Sequence, residues 1–207
     1  MIRSKEDLKL YLEADRIALG RKRYTIHSFF FDRIWTFERL LRKEEYYYNC
    51  CKGFWGKMMR RLITLRKYRL HTNMDIQVNS FGPGLSIAHE GAIVVNGKCK
   101  IGRNCRIHID VVLGQGRDDT DIPVLGDNIH IGPGVKILGG VHVGDNTVIA
   151  ANAVVTKSFP EGNCTIGGIP ARRISDHSSL TPSGNLERGL LVQGYELALA
   201  QREPRDK

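Results

Sequence analysis

The stretch IGPGVKILGGVHVGDNTVIAANAVV, residues 131–155, decides the fold, because an aliphatic residue returns in it at every sixth position. The same phase extends upstream, and all of its positions are aliphatic: Val95, Ile101, Ile107, Leu113, Leu125, Ile131, Ile137, Val143, Ile149 and Val155. A second register of smaller residues lies four positions on: Cys99, Cys105, Val111, Ile129, Val135, Val141, Thr147 and Ala153. Neither a helix nor plain strand alternation has this period. The pattern predicts a triangular coil of short strands whose stacked turns bury one continuous core.

The repeat loses its phase once, between residues 114 and 124, where Asp119 occupies a position at which an aliphatic residue is due. We interpret this polar, glycine-rich and acidic stretch as a loop inserted into the coil. Loops that leave a rigid scaffold often carry function. The loop is therefore a candidate active-site flap.

The net charge of +9 is concentrated at one end of the chain. Residues 1–75 contain 18 Lys and Arg against 9 Asp and Glu, whereas residues 76–207 contain 13 of each. The same N-terminal third holds both tryptophans and most other large aromatic residues. We interpret it as a solvated helical face with a packed aromatic side. Contact with an anionic lipid surface or an acidic substrate is the alternative, and no nucleic-acid partner is expected because no such motif accompanies the charge.

The helical period and the capping residues divide the chain into three segments. Residues 1–74 are predicted to form a helical domain with helices from Ser4 to Gly20, over about 28–45 and over about 56–68. Residues 75–174 are predicted to form the coil, which a short strand near Thr165 closes. Residues 175–207 lack the pattern and are predicted to be a loosely ordered tail with at most one short helix.

The cysteines and the opening residues predict a cytoplasmic protein. Cys99 and Cys105 lie on the inward register but on different faces of the triangle, and five cysteines form no even framework, so reduced thiols are expected. Residues 1–6 do not have the composition of a signal peptide, and no apolar run approaches membrane-spanning length.

His89 is the candidate catalytic residue. It lies six positions before Val95, where the register calls for an aliphatic residue, and small residues beside it leave room for a substrate. A neutral imidazole oriented by a carboxylate is suited to removing a proton from a hydroxyl group. Asp75 is the nearest preceding carboxylate and the candidate orienting group. A simple phase slip at the first turn of the coil is the alternative explanation of the histidine.

The other histidines are weaker candidates. His108, His130 and His142 take outward positions, and the last two fall on different faces of the triangle. Two histidines on different faces do not chelate one metal within a chain. We therefore expect no metal site.

The segment from Gly84 to Val95, GLSIAHEGAIVV, resembles the active-site turn of the serine acetyltransferase family, which are hexapeptide-repeat enzymes. Residues 131–139, 149–155 and 168–172 are similar to the same family, so the resemblance spans about residues 75–174. It implies a mainly β fold, a left-handed parallel β-helix, behind the N-terminal α-helical domain. The run from Leu40 to Tyr46 resembles members associated with capsule or surface-polysaccharide synthesis.

The resemblance implies a mechanism, a cofactor and an assembly. His89, oriented by Asp75, would be the general base on an acceptor hydroxyl that attacks the thioester of acetyl-CoA. Family members are trimers with active sites and CoA grooves between neighbouring coils, and pairing of trimers stays open. By that pattern the groove would be lined by Gly132, Gly139, Ala151, Thr156, Lys157 and Arg172. The small residues would admit the pantetheine, and the two cations would meet phosphate.

The chain departs from serine acetyltransferases at residues that those enzymes use on the amino acid. Ala88 stands where they have an aspartate, and Asp121 and Ile122 stand where they have an arginine and a histidine. We therefore predict an acetyl-CoA-dependent O-acetyltransferase acting on a sugar or a surface-polysaccharide precursor. One alternative is a true serine O-acetyltransferase of cysteine biosynthesis, with Asp118, Asp119 or Asp121 contacting the amino acid. The other is a non-catalytic trimeric binding or scaffold protein.

Overall fold

The chain forms three mainly parallel sheets, which it visits in strict rotation from residue 93 to residue 155, as seen in a computed structural model that describes residues 1–70, 72–182 and 191–202. The first sheet contains β1 (Met74–Ile76), β3 (Ile93–Val95), β6 (Val111–Gly114), β9 (Lys136–Leu138) and β12 (Val154–Val155). The second contains β4 (Lys100–Ile101), β7 (Val124–Leu125) and β10 (His142–Val143). The third contains β2 (Ser86–Ile87), β5 (Arg106–Ile107), β8 (His130–Ile131), β11 (Val148–Ile149), β13 (Thr165–Gly167) and β14 (Arg172–Ser175). This rotation is the predicted three-sided coil; its left-handed sense stays a prediction.

The six-residue register is the core of the coil. Every position of the aliphatic register is at most 5% exposed, and every position of the smaller register is at most 4% exposed. The aliphatic positions stack in line, since Ile87 pairs with Ile107 and Ile107 with Ile131. The predicted inward register is confirmed.

The loop is an insertion of one hexad. Val124 pairs with His142, 18 positions later, whereas Lys100 pairs with Val124, 24 positions later. The difference is six residues, and the extra chain forms the excursion between β6 and β7. The structure therefore confirms the predicted insertion of a loop into the coil.

One corner of the coil carries a ladder of asparagines in the left-handed backbone region. Asn104 donates to Asn128 at 3.0 Å, Asn128 to Asn146 at 2.8 Å, and Asn146 to Asn163 at 2.9 Å. All four have φ between 50° and 58°. Asparagine tolerates this conformation better than other residues that have a Cβ, and its amide can bond to the same side chain in the next turn.

The helices are α1 (Lys5–Ala18), α2 (Ile26–Phe31), α3 (Arg33–Cys50), α4 (Phe54–Tyr68) and α5 (Gly194–Ala200). The single helix expected over 28–45 is wrong, because the chain breaks at Asp32, whose carboxylate accepts from the backbone N–H of Trp35 and caps α3. Phe37 and Leu41 of α3 belong to the same core as the coil residues. No helix among the described residues is long and apolar enough to cross a bilayer.

Carboxylates from α1 and α3 satisfy the backbone at the open end of the coil. Asp15 accepts from the N–H groups of Gly84 and Leu85, both at 2.9 Å, and Glu45 accepts from that of Asn79 at 2.8 Å. Arg42 lies buried between the two carboxylates. The helices thereby cover a strand edge whose unpaired N–H groups would otherwise be open to solvent or to another chain.

The C-terminal segment is packed where the structure describes it. The backbone of Gly194 in α5 comes so close to that of Ala14 in α1 that a Cβ there would lie 2.3 Å from the Ala14 carbonyl oxygen. Tyr195 donates its N–H to the Asn104 side chain at 3.0 Å. Residues 191–202 are therefore docked rather than loosely attached, whereas residues 183–190 and 203–207 of the predicted tail lie outside the described part. The three-segment division itself stays a prediction.

Candidate active site

His89 lies on the corner between β2 and β3, with its side chain exposed. The corresponding corner of the next turn runs from Ile107 to Val111, whereas this one runs from Ile87 to Ile93. Two extra residues therefore widen the first corner. Its backbone uses Gly91 at φ 156°, where a Cβ would lie 2.9 Å from Ile109.

The placement of His89 on the inward register is wrong. Ile87 takes the inward place that the six-residue count assigned to the histidine, and Ile87 is 1% exposed. The phase slips by two residues at the first turn, so the wider corner carries His89 outward to solvent. An outward imidazole on a rigid corner is accessible to a substrate, which an inward one would not be.

Side chains of α3 hold this corner on both sides. Arg33 forms an ion pair with Glu90 at 2.8 Å, next to the histidine. Glu38 accepts a hydrogen bond from the N–H of Ile87 at 2.9 Å. Glu38 is fully buried, and its second oxygen has no hydrogen-bond partner among the described residues. Burial raises the pKa of its carboxyl well above the usual range, and the neighbouring Asp15 raises it further.

Three histidines form a row along one edge of the coil. The ring centroids of His89 and His108 are 5.8 Å apart, and those of His108 and His130 are 5.2 Å apart. Burial lowers the pKa of His130 to about 4, with His108 and Arg106 as further causes. Burial also lowers the pKa of His108, and Arg106 adds to the effect. The lowered pKa values favour neutral imidazoles at His108 and His130, and Arg106 supplies the positive charge beside this row.

Among the described residues, no group of three His, Cys, Asp or Glu side chains is placed to hold a metal ion. The buried Nε2 of His108 and the buried Nδ1 of His130 have no hydrogen-bond partner among the described residues.

Asp75 is placed differently from the expectation. Its carboxylate lies on β1 and accepts from the side-chain amide of Gln77 at 2.7 Å. Within the described residues no hydrogen bond joins it to His89. Asp75 is exposed, so its carboxylate is open to solvent on the same face as Val94, its partner on β3. The orienting role of Asp75 stays a proposal.

The candidate groove residues fall into two groups at opposite ends of β9. Gly139, Thr156 and Lys157 line one cavity of about 360 Å³ together with residues of the inserted loop. Gly132 lies at the other end, where a Cβ would come within 2.8 Å of the backbone nitrogen of Ala151. The small residue at 132 is thus required for adjacent turns of the backbone to meet.

Arg172 lies on β14, the antiparallel edge strand that the period did not predict, where it pairs with Gly167 of β13. Its side chain is exposed and forms no ion pair with a described residue. The guanidinium is therefore free to meet an anion.

The acidic residues of the loop serve mainly the loop itself. Asp118 accepts from the N–H and the hydroxyl of Thr120 at 2.9 and 2.7 Å, and these bonds lower the pKa of Asp118. Asp121 accepts from the backbone N–H groups of Arg117 and Gly140, which fastens the loop to the turn after β9. Asp119 is exposed and lies 3.4 Å from the ammonium of Lys98. Of the three carboxylates, that of Asp119 takes no part in the hydrogen bonds that shape the loop.

Several residues of the site were missed by the sequence pattern. Arg33 and Glu38 are distant from His89 along the chain, and nothing in their spacing points to the coil. The row of His108 and His130 was missed because the inserted hexad and the slip at the first corner change the count between turns. The inserted hexad can be read from the sequence, whereas the slip at the first corner is visible only once the strand pairs are known.

Residues 122–157 match the family model described as "Bacterial transferase hexapeptide (six repeats)". The chain is 35% identical over 109 residues to a serine acetyltransferase of Synechococcus elongatus, a match that covers 51% of this chain and 44% of that protein. It is 34% identical over 105 residues to a serine acetyltransferase of Helicobacter pylori, covering 48% of this chain and 60% of that protein. The chain thus spans about half the length of these relatives.

Solved structures of the same kind of protein share the fold. A serine acetyltransferase from Brucella abortus strain S19 superposes with a TM-score of 0.58 at 26% identity, over 84% of this chain and 69% of that one. One from Neisseria gonorrhoeae superposes with a TM-score of 0.65 at 22% identity, over 90% and 73%. The chain therefore contains a hexapeptide-repeat segment and resembles serine acetyltransferases in sequence and fold, and these comparisons give no support to a capsule or polysaccharide type.

Proposed function

We propose that this chain is an acetyl-CoA-dependent O-acetyltransferase with His89 as its general base. The observation that carries the proposal is the exposed His89 on a widened, braced corner of a transferase-type coil. The imidazole removes the proton of an acceptor hydroxyl, and the oxygen attacks the thioester carbonyl. The tetrahedral intermediate collapses with loss of the CoA thiolate, which takes up the proton from the imidazolium.

Acetyl-CoA would bind along β9 and the following turn. Gly139, Thr156 and Lys157 share one cavity with the loop, and the Lys157 ammonium suits a phosphate of CoA. Gly132 and Ala151 lie at the same corner position, two and three turns along from His89, and Arg172 offers a second cation. One solved structure of a Brucella abortus serine acetyltransferase is described as a complex with coenzyme A, the carrier part of acetyl-CoA.

We further propose a homotrimer in which neighbouring coils complete each site. In a single chain the cavity at Lys157 is open, and Asp75 and His89 are exposed without a mutual hydrogen bond among the described residues. A neighbouring chain packed against the first sheet, which lies between the cavity and the His89 corner, would enclose both and would give Asp75 its orienting role. We place the enzyme in the cytoplasm, in keeping with five unpaired cysteine thiols.

Free serine is the first candidate acceptor, which reverses the order of preference drawn from the sequence. Three relatives at 34–36% identity are serine acetyltransferases, and they support the serine alternative better than a polysaccharide precursor. A saccharide hydroxyl remains the second candidate because of two observations on the loop and corner. Ala88 has no charge for the serine ammonium, and Asp118 and Asp121 are occupied by loop hydrogen bonds.

The test is release of free CoA thiol from acetyl-CoA by the purified chain, with L-serine and a panel of mono- and oligosaccharides as acceptors. We expect turnover with serine, and His89→Asn should lower kcat by at least about a hundredfold because the general base is lost. His142→Asn is the matched control, since His142 is an exposed histidine on another sheet. Full activity of His89→Asn would refute the mechanism.

The acceptor and the scaffold alternatives are separated in the same assay. Turnover on a saccharide with none on serine would identify the second candidate. Absence of CoA binding in a direct titration would instead support the non-catalytic trimer. Lys157→Ala is expected to raise the KM for acetyl-CoA about tenfold while leaving the KM of the acceptor unchanged.

A further inference from the structure

The outward face of α4 is mainly apolar over an arc of nearly half the helix circumference, and Arg66 is the one cation of the helix within that arc. At 100° per residue, Phe54, Trp55, Met58, Met59, Leu62 and Leu65 fall within an arc of about 140°. Five of these side chains are exposed, including Trp55 at 70% and Leu65 at 56%. A soluble helix normally turns such a face inward.

The opposite side of α4 faces the rest of the chain. Gly56 and Ile63 are buried there, and Thr64 and Lys67 bond to Glu44 of α3 at 2.7 and 2.6 Å. The apolar face is therefore not the packing face of a misplaced helix. It is a second apolar surface that nothing in the described chain covers.

Helix α2 extends this surface. The guanidinium of Arg66 lies 4.1 Å from the ring centroid of Phe29, which joins α2 to the end of α4. Ile26, Phe30 and Phe31 of α2 are exposed, at 81%, 64% and 72%. We call the exposed apolar side chains of both helices, with Lys57, Arg60, Arg61 and Arg66, the α2–α4 surface.

The charge of this region has one sign. Residues 46–74 contain no Asp or Glu and include Lys52, Lys57, Arg60, Arg61, Arg66, Lys67 and Arg69. Lys57 and Arg61 flank the apolar arc and form no ion pair with a described carboxylate. Two copies of the chain meeting through this face would bring like charges together without acidic partners on α4. A negatively charged surface that also accepts apolar side chains fits both features.

We propose that the α2–α4 surface binds an anionic lipid bilayer, with α4 lying in the plane of the interface. The apolar arc enters the boundary between headgroups and acyl chains, and the flanking cations meet lipid phosphates. Tryptophan suits the headgroup boundary because its ring is largely apolar but carries a polar N–H group. The inference concerns the location of the protein and holds for any acceptor of the proposed transferase.

Binding is tested by flotation of the full chain with vesicles of phosphatidylglycerol and phosphatidylcholine in equal parts, against vesicles of phosphatidylcholine alone. We expect association with the anionic vesicles that weakens as salt is raised. Trp55 fluorescence should shift to shorter wavelength on binding. Trp35 is 2% exposed and should not respond, so Trp55→Phe should abolish the shift.

Two double variants separate the charge from the apolar arc. Lys57→Glu with Arg61→Glu should lower the partition coefficient at least about tenfold. Leu62→Ser with Leu65→Ser should lower it to a similar extent. Lys9→Glu on α1 and Ile174→Ser on β14 are matched controls, since they change an exposed cation and an exposed apolar residue elsewhere. Circular dichroism verifies that each variant is folded.

Three results would overturn the proposal. One is absence of vesicle binding by the folded wild-type chain. Another is equal binding to both kinds of vesicle, which would remove the anionic requirement. The third is a lower molecular mass, by light scattering, for the Leu62→Ser, Leu65→Ser variant than for the wild-type assembly. Such a difference would mean that a second copy of the chain covers this face. None of these results bears on the His89 test, so the two proposals fail separately.

Discussion

His130 illustrates how a single residue depends on the turns around it. Its sequence position predicts an outward histidine, and outward residues of a coil are ordinarily solvated. In the structure the side chain is largely enclosed between His108 and Arg106, with its Nδ1 buried and without a hydrogen-bond partner among the described residues. Burial beside a cation disfavours the imidazolium form.

We expect His130 to make folding stability depend on pH. The pKa of His130 is about 4 in the folded chain and 6.5 in the unfolded chain. Between these two pH values the unfolded chain therefore binds a proton that the folded chain does not. The free energy of unfolding is therefore highest above pH 6.5 and falls as the pH is lowered towards 4. From pH 7 to pH 5 the loss is about 2 kcal/mol.

Urea unfolding of wild type and His130→Gln at both pH values, at one protein concentration, measures this loss. The variant should lose about 2 kcal/mol less than wild type between the two pH values. His142→Gln, at an exposed position, should behave like wild type. An unchanged pH dependence in His130→Gln would contradict the assignment.

At the scale of elements, the corners rather than the strands distinguish one turn of the coil from another. The strands are only two to four residues long and nearly interchangeable. The asparagine ladder supplies a bond from turn to turn at one corner, and the widened corner at His89 supplies the candidate base. Each corner combines a backbone conformation with a side-chain contact from the next turn.

The ladder predicts that two asparagines with the same backbone conformation contribute differently to the stability of the fold. Asn128 and Asn152 both have φ of 58°, but only Asn128 accepts and donates in the ladder. Replacement by Gly keeps the conformation accessible and removes the amide. We expect Asn128→Gly to cost about 1–2 kcal/mol more than Asn152→Gly in guanidinium unfolding. Equal costs would mean that the ladder bonds contribute nothing net.

At the scale of the whole molecule, one buried charge network joins the helices to the coil. Arg42 donates to Asp15 at 2.7 and 3.2 Å and to Glu45 at 3.1 Å, and it also reaches the carbonyls of Phe81 and Gly82. The same carboxylates accept from the first turn of the coil. The helices and the coil therefore share polar contacts as well as the core around Phe37 and Leu41.

Arg42→Ala should destabilise the fold by about 3–5 kcal/mol, because it leaves buried carboxylates without their cation. Lys43→Ala, at the next and exposed position of α3, is the control and should change stability by less than about 0.5 kcal/mol. Thermal unfolding monitored by circular dichroism measures both. A loss for Arg42→Ala no larger than that for Lys43→Ala would show that the network does not hold the two parts together.

The sequence alone determined the three-sided coil, its core and the inserted loop. A hexad places the same side-chain direction at each sixth residue, so local spacing is sufficient to specify which residues lie inside. It also identified the start of α1 at Ser4, but it missed the break at Asp32 because aromatic residues continue on both sides of it.

Only the tertiary structure decided the surroundings of His89, the row with His108 and His130, and the bracing by Arg33 and Glu38. It also decided that the inward place belongs to Ile87 and that Asp75 bonds to Gln77. These features arise where turns of unequal length are stacked and where helices distant in sequence meet the first turn. A repeat encodes what recurs along the chain, whereas this site is built from contacts between residues that occur once, which no period can report.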